Sequence, residues 1–213
     1  MTRIALIGAT GLVGGEIARR IPPADLLLLS RRPSGLAARE IVAPVDRWRE
    51  ALAGEQVDVA ISALGTTIAE AGSKPACDRV DRLAVVDFAK AAREAGARHM
   101  VVVSAVGATA DAPNFYLKTK GRMEAELAAL GFDRLDILRP GLLRGDRSEQ
   151  RLAESIALRI SPLTDRLMRA WWPNYCSIAA SDVAAAALAL AGRTGGGRFV
   201  HHNDAMVDLA SRS

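Results

Sequence analysis

A chain of 213 residues, half of them hydrophobic, is long enough to bury a core of its own and fits one compact α/β domain. Its formal net charge of +4 is spread over interleaved acids and bases with no long basic run, which favours a small anionic ligand and argues against a nucleic-acid partner. Cys77 and Cys176 lie far apart without C-x-x-C spacing, so neither a zinc site nor a disulfide framework is indicated, and two buried thiols are expected.

The chain opens on the apolar run Ile4-Ala5-Leu6-Ile7, a strand over 3–7, which runs directly into Gly8-Ala9-Thr10-Gly11-Leu12-Val13-Gly14. Glycines spaced G-x-x-G-x-x-G behind a strand suit a dinucleotide-binding turn. Gly8 can adopt the tight turn, Gly11 lets the main chain approach a pyrophosphate, and Gly14 lets the following helix pack closely on the strand. The phosphates would rest on N–H groups of a helix starting near Leu12. A secretory signal does not fit, since the run carries one charge, is broken by glycines and lacks a small-residue cleavage site. No other segment reaches the roughly 18 apolar residues of a membrane span. A soluble, cytoplasmic protein without a membrane partner is therefore expected.

A second strand over 26–30 ends in Ser30-Arg31-Arg32. A protein selecting NAD usually places an acidic residue there, to accept hydrogen bonds from the ribose 2′-hydroxyl. Two guanidinium groups instead suit the 2′-phosphate of NADP(H), through charge-assisted bonds; solvated loop charges before Pro33 are the plainer alternative. Strands follow over 40–43 and 57–63, the latter ending in Ser62-Ala63-Leu64-Gly65-Thr66-Thr67. Small residues at that carboxyl edge leave room for a dinucleotide across the sheet.

Val80, Leu83, Ala84, Phe88, Ala91 and Ala95 recur at helical spacing over 77–95, closed by Gly96. A strand over 99–104 ends at Ser104, and a helix over 114–130, closed by Gly131, carries Tyr116-Leu117-Lys118-Thr119-Lys120. Tyr116 and Lys120, four apart, share one helix face. With Ser104 they form a set suited to carbonyl reduction: Tyr116 gives a proton to the carbonyl oxygen, Ser104 steadies that oxygen, and Lys120 favours the phenolate and hydrogen-bonds the nicotinamide ribose. The bland alternatives are a surface cation pairing with Glu124 for Lys120 and a strand-end cap for Ser104.

Strands over 136–138 and 198–201 and a helix opening at Ser181-Asp182 as N-cap complete the pattern. The alternation predicts a doubly wound parallel sheet, a Rossmann fold, with a small C-terminal substrate-side extension. The whole of 1–213 reads as one domain, with 142–213 building the substrate mouth. Within 163–178 lie Met168, Trp171, Trp172, Pro173 and Tyr175, which read as an apolar lid, a self-association patch of a homodimer, or core. His99, His201 and His202 lack metal-ligand spacing and read as structural, so no metal is expected.

The glycine turn with Ser104, Tyr116 and Lys120 resembles the short-chain dehydrogenase/reductase superfamily, in its atypical branch. Leu64-Gly65-Thr66-Thr67, Lys74 to Val80 leading into Asp81-Arg82, Val103-Ser104 with Gly107-Ala108, Asn114 to Leu117 with Lys120-Gly121, and Arg139-Pro140-Gly141 with Asp146-Arg147 resemble the Tat-interacting-protein-like oxidoreductases most, over residues 1 to about 151. The resemblance implies NADPH held through Gly8, Thr10, Gly11, Leu12 and Val13, with Gly14 closing the turn. It implies Arg31 and Arg32 at the 2′-phosphate, Leu64 and Gly65 near the middle of the cofactor, Tyr116 and Lys120 at the nicotinamide, and Arg147 as a further contact. Where that family often carries a second serine and a lysine after the catalytic serine, this chain has Ala105 and Val106. The expected function is an NADPH-dependent reductase of a small carbonyl compound. The alternative is an NADP(H)-sensing regulator without turnover; a nucleotide-sugar isomerase or dehydratase is a weaker third, for want of room after Gly141.

Overall fold

The structure is a computed structural model that describes residues 2–145 and 176–212. Its centre is a seven-stranded sheet built from β1 (Ile4–Ile7), β2 (Leu26–Ser30), β3 (Arg39–Val42), β4 (Val59–Ser62), β5 (His99–Val103), β6 (Arg134–Leu138) and, after the short pair β7 (Leu143–Arg144) and β8 (Ile178–Ala179), β9 (Gly197–His201). The order is β3-β2-β1-β4-β5-β6-β9, and every neighbouring pair is parallel. The chain winds outward one way from β1 to β3 and the other way from β4 to β9. The crevice between β1 and β4 is thus the topological switch point, where an open α/β sheet binds its ligands.

Side chains alternate between the two faces of a strand, so each face has its own core. On one face Leu6, Leu28, Ile61 and Val101 pack with α1 (Leu12–Arg20) and α7 (Ala180–Ala191) through Val13, Ile17, Val183 and Leu190. On the other, Ile7, Leu29, Ala60 and Val102 pack with Trp48 of α2 (Trp48–Ala51), Val85 and Phe88 of α5 (Ala84–Glu94), and Met123 and Leu127 of α6 (Phe115–Ala129). Each fully buried Leu, Ile, Val or Phe contributes about 1.5–3 kcal/mol. The short helices α3 (Ile68–Ala71) and α4 (Lys74–Asp78) follow β4, and α8 (Asn203–Ala210) ends the described chain. Among the described residues no helix is long and apolar enough to cross a membrane.

Two elements differ from the sequence reading. The helix expected over 77–95 begins earlier, at Lys74 with Ser73 as its cap, and holds a π turn at Arg79–Leu83 before continuing as α5. The helix expected to start on Ser181-Asp182 begins at Ala180 with Ala179 at the N-cap and no side-chain cap; Ser181 lies in its first turn, where its carbonyl accepts from Arg20 Nη1 at 2.8 Å. Arg147 and the cluster of Met168, Trp171, Trp172, Pro173 and Tyr175 lie outside the described residues.

The histidines join the sheet through one carboxylate. Asp136 of β6 is fully buried and lies 2.7 Å from both His99 Nε2 of β5 and His201 Nε2 of β9, with Arg134 Nε at 2.5 Å. Burial alone would push this carboxyl up, but the hydrogen bonds from His201, His99 and Arg134 outweigh it and hold it well below the usual carboxylate range. Cys77 and Cys176 are both buried, and neither is in a disulfide.

Candidate functional site

The glycine turn sits at the switch point. Gly8 has φ +85°, and a Cβ there would stand 2.5 Å from the Ala63 carbonyl carbon of the neighbouring chain segment. A Cβ on Gly14 would fall 2.1 Å from the Gly8 carbonyl oxygen, so only glycine lets α1 approach β1 this closely. Gly11 is different: it is the N-cap of α1, and a Cβ there would meet only the Gly8 oxygen, at 3.3 Å. No side chain caps α1. Ala9, Thr10, Gly11 and Leu12 instead line a cavity of about 630 Å³, shared with Ser34 and Arg144. An uncapped helix N-terminus opening on a cavity of this size is a fitting cradle for a pyrophosphate. Val13 turns into the core, and Arg31, Arg32, Leu64, Gly65, Tyr116 and Lys120 lie outside this cavity.

Arg31 and Arg32 follow β2 on an exposed loop, and among the described residues neither has an ion-pair partner. The loop is nevertheless fixed. Glu40 of β3 accepts from Ser30 Oγ at 2.8 Å and from the Ser34 N–H at 3.0 Å. Burial pushes the Glu40 carboxyl up, but these bonds together hold it below its ordinary value, so it stays an acceptor. Glu40 was not foreseen.

Lys120 and Tyr116 do share one face of α6. Asn114 caps that helix, its side chain accepting from the Tyr116 and Leu117 N–H groups at 2.9 and 3.2 Å. Lys120 is only 2% exposed, and its Nζ lies 2.9 Å from Asp81 Oδ1 and 3.4 Å from the carbonyl oxygens of Leu64 and Val103. The two carbonyls accept hydrogen bonds and Asp81 supplies an ion pair, so Lys120 is held by the Leu64 loop, the end of β5 and the π turn together. Asp81, in the π turn, also accepts from the Thr66 N–H at 2.9 Å. The lysine is thereby tied to both ends of the Leu64-Gly65-Thr66 loop. Burial works against the ammonium, but Asp81 outweighs it and holds the Lys120 pKa above its ordinary value.

Tyr116 is half-buried, and its ring centroid is 6.0 Å from Lys120 Nζ. Burial, the largest effect, raises the phenol; Lys120 does favour the phenolate, as expected, but Asp81 raises the phenol again, and the balance lies above the ordinary value. Among the described residues the Tyr116 hydroxyl makes no hydrogen bond.

Ser104 behaves otherwise. It is 4% exposed, and its hydroxyl donates to Glu124 Oε1 at 2.5 Å; Arg139 grips the same carboxylate from its other side, with Nε at 3.0 Å from Oε1 and Nη2 at 2.5 Å from Oε2. Glu124 therefore pairs with Arg139 and not, as one reading of the sequence had it, with Lys120. The single proton of Ser104 is committed to Glu124, so steadying a substrate oxygen would require breaking that bond. Gly121, quoted above only for the resemblance, has a packing role: a Cβ there would sit 2.1 Å from the Thr109 carbonyl carbon, so it lets the loop after Ser104 lie against α6.

A family described as NAD(P)H-binding matches residues 8–193, and the chain belongs to it. Its fold is that of NAD(P)-binding oxidoreductases. The chain is similar to the mitochondrial protein FMP52 of Candida albicans, 39% identical over an alignment of 172 positions that covers 75% of each chain. It is also 33% identical to the mitochondrial fmp52 of Aspergillus niger over 92% of each chain. These relatives bear the name FMP52, in place of the Tat-interacting-protein-like oxidoreductases that the motifs resembled. The cytoplasmic expectation is overturned by the same relatives, which are named mitochondrial; lack of a secretory signal or membrane span does not bear on that compartment. Among solved structures, the Thermoplasma acidophilum aldohexose dehydrogenase aligns with TM-score 0.69 and 17% identity over 97% of this chain and 94% of its own. MoeE5 in complex with UDP-glucose and NAD aligns with TM-score 0.64 and 17% identity over 99% and 81%. These likenesses concern the fold.

Proposed function

We propose that the chain is an NADPH-dependent reductase of a small carbonyl compound in which Tyr116 gives the proton. One observation carries this reading: of Ser104, Tyr116 and Lys120, only the Tyr116 hydroxyl has no hydrogen-bond partner among the described residues, and the residue is half-buried at the start of α6. When bound, NADPH supplies the hydride that reduces the carbonyl carbon. Gly8, Thr10, Gly11, Leu12, Val13 and Gly14 form the pyrophosphate cradle, Arg31 and Arg32 hold the 2′-phosphate, and Leu64 and Gly65 flank the middle of the cofactor. Arg147 is retained as a further cofactor contact from the resemblance alone. Tyr116 protonates the carbonyl oxygen, Lys120 holds the Leu64 loop beside it, and Ser104 supports the site through Glu124.

A regulator that binds NADP(H) without turnover is the second reading, and the commitment of Ser104 to Glu124 and of Lys120 to Asp81 is what favours it. Absorbance at 340 nm separates the two. A reductase oxidises NADPH with at least one member of a panel of small aldehydes and ketones. Tight NADPH binding with no oxidation across the panel contradicts the reductase.

A further inference from the structure

Lys120 and Asp81 are both removed from water, 2% and 0% exposed, and lie 2.9 Å apart. The other oxygen of Asp81 accepts from the Thr66 N–H at 2.9 Å and from the Cys77 thiol at 3.8 Å, while Oδ1 meets the ammonium as an ion pair. The π turn that carries it inserts an extra residue into the helix ladder, a device found most often at functional sites. Gly65 lies against the same pair: a Cβ there would stand at ordinary contact distance, 3.4 Å from Asp81 Oδ1 and 3.9 Å from Lys120 Nζ. A carboxylate so placed does more than anchor a helix, because the phenol of Tyr116 stands beside the same ammonium.

We infer that Asp81 is a positioning residue that holds the Tyr116 and Lys120 couple in its fully protonated form, so that the free site is poised to give a proton to a carbonyl oxygen. This rests on the reductase reading above. An unopposed cation within about 4–6 Å lowers a neighbouring acid by about 1–3 pH units. Here the cation is opposed. The negative charge of Asp81, in contact with the ammonium, cancels most of its pull on a phenolate. The titratable groups facing the phenol are Lys120, Asp81 and Cys77, and Cys77 adds no charge near neutrality because burial and Asp81 push its thiol up to about 11. Burial and Asp81 together outweigh Lys120, so the phenol keeps its proton. In the reduction the phenol O–H bond breaks, its proton passes to the substrate oxygen as the carbonyl carbon takes hydride from NADPH, and solvent returns the phenolate to phenol. In the reverse direction a phenolate would have to form first, against Asp81.

The test is an NMR titration of the full chain carrying 13Cζ-labelled tyrosine, with the Tyr116 resonance assigned by its loss in Tyr116→Phe. That resonance inflects when the couple releases its first proton, whichever group releases it. In the parent it inflects above the ordinary phenol value of about 10. Asp81→Asn moves the inflection down by about one pH unit or more, and Asp81→Glu restores it. The alkaline limit of reductase activity moves with it. An unchanged inflection in a folded Asp81→Asn overturns the proposal, and so does a parent that inflects below the ordinary value, even if no variant folds. The titration needs neither cofactor nor substrate. The expected shifts in a protein that reduces no carbonyl would support the role of Asp81 while contradicting the reductase, so the two failures are distinguishable.

Discussion

Ser104 Oγ donates to Glu124 Oε1 across 2.5 Å inside the protein, and Arg139 closes the other side of that carboxylate. A serine in this position supports the wall of the site. Ser104→Ala leaves a buried carboxylate one donor short, which costs about 1–3 kcal/mol. We expect a matching loss in unfolding free energy and a fall in turnover much smaller than that of Tyr116→Phe. Unchanged stability with a Tyr116-like loss of turnover would return Ser104 to the substrate oxygen.

The carboxylate of Asp136 gives the sheet its acid limit. Its folded pKa is depressed below the unfolded value of about 3.9, so its stabilisation is fully present above that pH and is lost as pH falls towards the folded pKa. Asp136→Asn leaves Arg134 buried without its partner and is expected to cost about 3–5 kcal/mol at pH 7. Denaturant melts of parent and variant should converge as pH drops below about 4. A gap constant with pH contradicts this role.

On the proposed function, cofactor choice would fall to the loop after β2. Charge-assisted bonds of about 1.5–3 kcal/mol from Arg31 and Arg32 imply a preference for NADPH over NADH of about tenfold to a hundredfold. Calorimetric titration at one salt concentration measures it. Equal affinities, or a preference that survives Arg31→Ala with Arg32→Ala, would remove the clamp.

The two glycines of the turn should behave differently. Gly11→Val brings its Cβ to 3.3 Å from the Gly8 oxygen, a tight contact that a small shift relieves, and fills the expected pyrophosphate space. It should stay folded with a slightly lower melting temperature and lose the thermal shift given by NADPH. Gly14→Ala drives a Cβ to 2.1 Å from the Gly8 oxygen and should lower the melting temperature itself. A Gly11→Val protein still stabilised by NADPH as strongly as the parent would reduce the glycines to a turn.

Local patterns made the parallel sheet, the glycine turn and the shared face of Tyr116 and Lys120 legible, because periods of 2 and 3.6 are written along the chain. The partners of those residues are not local. Asp81, Glu124 and Glu40 meet Lys120, Ser104 and the Ser30 loop only once the sheet has formed. A signal existed for Asp81: it shares the apolar face of its helix with Ala84, Val85 and Phe88, and a carboxylate on a buried face needs a buried partner. Glu124, between Met123 and Leu127, carries the same signal. The start of α7 was misplaced because Ser181-Asp182 looks like a cap by composition, whereas packing of Val183 and Leu190 on the sheet set where the helix begins.

The proton donor is the centre of the account. Tyr116→Phe removes one hydroxyl, keeps the ring beside Lys120, and should leave NADPH affinity within a few-fold while lowering carbonyl turnover about a hundredfold or more. The decisive measurement is the steady-state rate of NADPH oxidation by parent and Tyr116→Phe with one reducible aldehyde or ketone, alongside calorimetric NADPH affinities of both. Intact affinity with turnover all but lost is the predicted result; a Tyr116→Phe protein that turns over like the parent would contradict the mechanism.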